Sequence, residues 1–197
     1  MPISFKHKLI FVHIPKNAGT TITNALNMSD IGHHLPIYYK RKYPKEWETF
    51  KKFAVYRNPW DRVVSNYEYA RLKKSYWHSS QDNSKHVDYD LLKNLSFDEC
   101  INILVNSPGR LKHQGWGSQN QYLKIDNVFL NDIFLIKIEN LKDEIFNKLS
   151  IDINIPNINS SEHSNYISYY DNKKNIEIIN NIYNEDITKF NYKFNND

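Results

Sequence analysis

The stretch from Leu9 to Ile22 constrains the fold more than any other part of the chain. Leu9, Ile10, Phe11 and Val12 form a short continuous apolar run, the pattern of a strand buried on both faces. His13, Ile14, Pro15, Lys16, Asn17, Ala18 and Gly19 then supply a tight loop, and Thr20, Thr21, Ile22, Ala25 and Leu26 open a helix expected over 20–28. Such a junction is a natural seat for an anion. Amides at a helix N-terminus are donors without helical partners and carry partial positive charge, and Lys16 adds a full one. Taken alone, an ordinary strand-turn-helix with a surface lysine reads the same way.

A second stretch repeats the pattern. Phe53, Ala54, Val55 and Tyr56 read as another buried strand, followed by Arg57, by Asn58 as N-cap and by Pro59 as first helical residue. In the helix expected over 59–72, Trp60, Val63, Val64, Tyr67 and Ala70 recur at helical spacing and give it one apolar face. A third strand is expected over 133–138, followed by Glu139, Asn140 and a helix from Leu141 to Leu149. Strands alternating with helices predict an α/β fold of three layers, a central, mainly parallel sheet flanked by helices, with ligands at the carboxyl ends of the strands. Both candidate anion motifs fall at such ends, after Val12 and after Tyr56.

The remaining punctuation is local. Gly32 and Pro36 place His33 and His34 on a short extended segment or turn, and Pro44 opens a short helix holding Trp47 and Phe50. Ser96 and Glu99 form a capping box before Cys100, Ile101, Leu104 and Val105, in a helix ended by Pro108 and Gly109. Ile176, Ile179, Tyr183 and Ile187 predict one amphipathic closing helix over 173–190. Residues 75–89, 110–121 and 151–165 read as loops.

A length of 197 residues with 40% hydrophobic content suits one domain, 1–197. The net charge of +4 is scattered, which fits an anionic ligand and is too weak to argue for nucleic acid. Cys100 is the single cysteine, so no internal disulfide forms, and its expected role is a small apolar filler. No run approaches the ~20 apolar residues of a membrane span, and no signal-peptide core is present. The expectation is a soluble, cytoplasmic chain without an integral membrane segment.

Lys16 precedes Gly19 here and Thr20-Thr21 follow directly, unlike the G-x-x-x-x-G-K-[ST] order of nucleoside-triphosphate loops. In this form the loop resembles the 5'-phosphosulfate loop of sulfotransferases that use 3'-phosphoadenosine-5'-phosphosulfate (PAPS). The stretch from Phe53 to Tyr67, with Arg57, Asn58, Pro59 and Ser65, is similar to that family's 3'-phosphate motif. The likeness is to the carbohydrate-type, Golgi-sulfotransferase-like superfamily, and the expectation is a small soluble form of bacterial or viral kind, without the N-terminal anchor of many eukaryotic members unless the chain is trimmed.

The resemblance implies a P-loop-type fold, PAPS as donor, adenosine 3',5'-bisphosphate (PAP) as product, and a hydroxyl acceptor on a sugar or polysaccharide. It implies that Lys16 acts on the oxygen bridging phosphate and sulfate. Asn17, Ala18, Gly19, Thr20 and Thr21 would hold the 5' end, and Arg57 and Ser65 the 3'-phosphate. His34, ahead of His33, is the candidate base, since a histidine near neutrality suits proton removal from a hydroxyl. Glu139 is a candidate to orient Lys16 or a water, with a helix-starting role as the simpler account. His163, Ser164, Asn165 and Tyr166, with Tyr169 and Tyr170, also look family-like. His113, Gln119 and Gln121 are candidates to line the acceptor cleft. Trp60 is expected in the core rather than on an adenine, Arg62 as a solvated or salt-bridged residue, and His13 inside the fold or orienting the loop. No metal site is expected. Two readings stay open beside this one: a phosphotransferase with Glu139 or Asp61 on magnesium, and a nucleotide-binding module that transfers nothing.

Overall fold

The computed structural model describes residues 2–29, 32–73, 85–152 and 165–194. Among these the strands are β1 (Ile3–Ser4), β2 (Leu9–Phe11), β3 (Lys51–Tyr56), β4 (Lys124–Ile125), β5 (Val128–Phe129) and β6 (Ile133–Lys137). The helices are α1 (Gly19–Ala25), α2 (Pro36–Lys42), α3 (Pro44–Thr49), α4 (Pro59–Arg71), α5 (Tyr89–Leu92), α6 (Phe97–Asn106), α7 (Leu141–Leu149), α8 (Lys173–Ile182) and α9 (Asn184–Phe190). Internal packing divides the chain into two compact units, residues 1–57 with 117–160 and residues 58–116 with 161–197.

The first unit holds the sheet, in the order β1-β2-β3-β6. β2, β3 and β6 run parallel, and β1 is antiparallel to β2. Leu9 and Phe11 on β2, Phe53 and Val55 on β3, and Ile136 on β6 occupy alternate positions and share one face. Ile22 and Leu26 of the first helical segment and Ile145 and Leu149 of α7 cover that face, and Phe11 stacks on Phe53 at 4.9 Å. Ile10 and Ala54, on the opposite face, are also fully buried, which explains why these strands read as continuous apolar runs. The open edge of β6 is guarded by α7. Lys148 Nζ donates to the Leu135 carbonyl (2.7 Å), Glu144 accepts from the Lys137 amide (3.2 Å), and the two side chains pair at 2.6 Å. The β4–β5 hairpin turns through Asp126 and Asn127, both left-handed (φ 50° and 62°), as a two-residue turn of the primed kind demands.

The second unit is built on α4. Asn58 caps it, its Oδ1 accepting from the amides of Trp60 (3.0 Å) and Asp61 (3.4 Å), and Pro59 stands at its first turn. Tyr67 meets Phe97 of α6 edge to face (5.3 Å), and the Tyr170 hydroxyl donates to the Trp60 carbonyl (3.0 Å). The capping box of α6 is complete, with Ser96 and Glu99 each satisfying the other's amide. The closing segment departs from the single helix expected. It breaks at Tyr183, whose φ of −109° and ψ of 25° leave the helical region and whose hydroxyl donates to the Trp116 carbonyl at 2.7 Å. Amide bonds run up to Tyr183 (its N–H to the Ile179 carbonyl, 2.9 Å) and on from it (Ile187 N–H to its carbonyl, 2.9 Å), so the periodicity continues through a local change in the backbone. Residues 74–84 and 153–164, which include most of two expected loops, His163 and Ser164, lie outside the described residues.

Candidate functional site

The loop after β2 has the backbone shape of an anion cradle. Lys16 (φ 69°) and Ala18 (φ 57°) are left-handed while Asn17 and Gly19 are not, so the sign of φ alternates along the loop. That alternation turns successive amides toward one concave side. It costs about 1 kcal/mol or more at each non-glycine position. α1 begins without a side-chain cap and without an acidic residue in its first turn. The first amide in its ladder is that of Ile22, donating to the Ala18 carbonyl (3.0 Å). Ala18, Gly19, Thr20 and Thr21 therefore stand ahead of the helical hydrogen bonds, where an anion gains most. By contrast, the N-terminus of α4 is closed by Asn58.

Gly19 has a second reason to be glycine. A Cβ there would fall 1.6 Å from His13 Nε2. His13 is buried, stacked on Phe11 (5.2 Å), with the His33 ring 4.3 Å away. The expectation that His13 lies inside the fold against the loop agrees with this packing.

A set of amide side chains then ties the loop to the end of β3. Asn17, fully buried, donates through Nδ2 to the Val55 carbonyl (2.7 Å) and to Gln119 Oε1 (2.7 Å). Gln119 Oε1 also accepts from the Arg57 amide (3.0 Å), and Gln119 Nε2 donates to the Arg57 carbonyl (2.8 Å). The Arg57 guanidinium in turn donates from Nη1 to the Lys16 carbonyl (3.1 Å). Lys16, Asn17, Ala18, Gly19, Thr20, Thr21 and Arg57 thus share the carboxyl end of the sheet in the first unit. Gln119 is 0% exposed, so it lines no open cleft, and the expectation for it is corrected. Gln121 is exposed.

His34 is half-buried and stacked on Tyr38 of α2 (3.9 Å, 14° between planes), while its neighbour His33 has its ring against His13. Ser65 is buried on α4 in the second unit. Trp60 is core. Arg62 is 1% exposed, so the solvated alternative fails for it. His113 is half-buried in the second unit: its Nδ1 accepts from the Gly115 amide (3.1 Å), lies 3.1 Å from Asn66 Oδ1, and its ring packs on His86 at 4.6 Å. Glu139 is exposed in a short 3-10 turn over Ile138–Asn140. Burial, then the Glu144 and Glu139 carboxylates, hold the Tyr56 hydroxyl above its ordinary range, so it stays neutral. Among the described residues no group of His, Cys, Asp and Glu is arranged to hold a metal ion, and no helix is long and apolar enough to cross a membrane.

The model of the sulfotransferase family matches residues 2–193. The chain belongs to that family. No curated protein and no solved structure matches it. Membership makes the chain a transferase of sulfuryl groups to a hydroxyl-bearing acceptor, and the family generally takes that group from PAPS. In this sulfotransferase the alternating loop, the helix start without a side-chain cap, Lys16 and Arg57 place amides and cations at one end of the sheet.

Proposed function

We propose that this sulfotransferase moves a sulfuryl group from PAPS to a hydroxyl of a sugar or polysaccharide, as one domain spanning 1–197 in the cytoplasm. The observation that carries the donor assignment is the bond from the Arg57 guanidinium to the Lys16 carbonyl (3.1 Å), which joins two anion-binding motifs at the ends of neighbouring parallel strands. The single family match over 2–193 supports the one-domain reading.

PAPS supplies the sulfuryl group on a phosphate leaving group. Transfer of this kind asks little covalent work of the protein and much positioning and charge stabilisation. The amides of Ala18, Gly19, Thr20 and Thr21, with the two threonine hydroxyls, bind the 5' end, and Asn17, whose amide donates to the Ile14 carbonyl (3.4 Å), shapes the loop that presents them. Lys16 neutralises charge on the departing oxygen. Arg57 takes the 3'-phosphate in bidentate fashion, and Ser65 adds a hydroxyl donor to it. His34 removes the acceptor proton. His33 is the second candidate, supported by its ring contact with His13, which itself packs on Gly19.

Calorimetry with PAP and with adenosine 5'-phosphate tests the donor site. Arg57→Ala and Ser65→Ala weaken PAP, the former by roughly tenfold or more since a charged hydrogen bond contributes about 1.5–3 kcal/mol, and leave adenosine 5'-phosphate unchanged. Equal effects on both ligands would remove the 3'-phosphate assignment. Transfer of labelled sulfate to a panel of sugars, with His34→Ala and His33→Ala, then identifies the base by a loss of roughly 10²–10⁴ in kcat in one of them.

A further inference from the structure

We infer that Gln119 is a positioning residue for donor binding, a buried clamp that fixes Arg57 against the Lys16 loop so that the two anion motifs act as one site. The inference rests on the donor reading above and goes beyond it, because Gln119 belongs to neither motif.

The reasoning begins with the backbone of Arg57. β3 pairs with β6 as far as Tyr56 opposite Lys137, so the sheet register ends one residue short of Arg57. Its amide and carbonyl still require partners. The Gln119 side chain supplies both, accepting from Arg57 N–H and donating to Arg57 C=O, as a neighbouring strand would. The same Oε1 accepts from Asn17 Nδ2, so one fully buried amide group fixes the loop and the arginine together. The motifs also meet directly, Asn17 Nδ2 donating to the Val55 carbonyl (2.7 Å) and Arg57 Nη1 to the Lys16 carbonyl (3.1 Å), but those bonds leave the Arg57 amide and carbonyl to Gln119, and Lys16 and Ala18 hold left-handed conformations that need support. Ser118 fixes the approach, its hydroxyl accepting from the Asn120 amide (3.2 Å) at the start of the 3-10 turn Gln119–Leu123. A group that touches no ligand can still set affinity by removing freedom from those that do.

A double-mutant comparison separates this from a merely structural role. PAP affinity is measured for the wild type, Arg57→Ala, Gln119→Met and the double variant, with thermal midpoints alongside. Gln119→Met has nearly the same volume and none of the three hydrogen bonds. A positioning role predicts that Arg57→Ala costs roughly tenfold in the wild-type background and less than about threefold in the Gln119→Met background, because an unclamped arginine contributes little. Gln119→Glu keeps the acceptor for Asn17 and for the Arg57 amide and gives an intermediate value. It carries the same comparison if Gln119→Met does not fold. An Arg57→Ala effect as large in these backgrounds as in the wild type, with only the thermal midpoint lowered, would overturn the inference. A wild type that does not bind PAP, or an Arg57→Ala that binds it as well as wild type, would instead fail the donor reading itself.

Discussion

At the scale of single residues, the loop is held by a steric fit that a mutation can break and a second can repair. Gly19→Ala drives a methyl group into the His13 ring, an overpacking error of the kind that costs about 1–3 kcal/mol. Combining it with His13→Ala removes the obstacle, so urea midpoints should show the double variant more stable than the sum of the singles. Strict additivity would mean that the contact carries no strain. Cys100 gives an independent residue-scale prediction. Burial pushes its thiol up to about 12, with the Asp88 charge adding to that and Arg71 opposing it. A thiol reagent at pH 8 should therefore leave the folded protein unlabelled and react only on unfolding. The position of Lys16 and Arg57 at strand ends was legible in the sequence because each follows a short apolar run. The place of Gln119, read as a candidate for the acceptor cleft, was not, since its partners lie 102 and 62 residues away and nothing local marks a buried amide. The same holds for Arg62, where charge argued for exposure and packing decided otherwise.

At the scale of elements, legibility followed the strength of local signals. The apolar runs gave β2, β3 and β6, Asn58-Pro59 gave the start of α4, and the Ser96 to Glu99 spacing gave α6 with its cap. β1, with two residues, is too short for any periodicity to show, and α2 starts after Leu35, which is extended and supplies no capping side chain. The cap of α6 yields a pH prediction. Hydrogen bonds from the Ser96 backbone and then its hydroxyl hold the Glu99 carboxyl below its ordinary value of 4.5. A lowered folded-state value means that the cap stabilises above the unfolded value and is lost as pH falls through the folded one. Glu99→Gln should thus lower the denaturation midpoint at pH 7, by an amount that shrinks as the pH falls progressively below 4.5. A deficit that stays constant over that fall would assign the effect to packing instead. The guard on β6 is a second element-scale device: Lys148→Ala should expose the Leu135 carbonyl and raise concentration-dependent self-association, measurable by light scattering.

At the scale of the molecule, the parallel sheet brings together groups that the chain separates, because β2 and β3 are neighbours and both point their carboxyl ends the same way. The sequence predicted this arrangement through the alternation of strands and helices. It could not predict how the ends are fastened, since that depends on side chains meeting only after the sheet forms. If the fastened ends are one donor site, a ligand spanning both must stabilise the folded state by mass action, irrespective of catalysis. At a PAP concentration of 100 times Kd the stabilisation is about 2.7 kcal/mol. For a chain of 150–250 residues that is a rise of roughly 5–11 °C in Tm, at about 2–4 °C per kcal/mol. Arg57→Ala, weakening PAP tenfold, should halve the free-energy gain at the same concentration, to about 1.4 kcal/mol, and the thermal shift with it. Adenosine 5'-phosphate should give the variant and the wild type equal shifts, because it lacks the group that Arg57 binds. A variant whose shifts with both ligands fall together would show that Arg57 supports the loop rather than the 3'-phosphate.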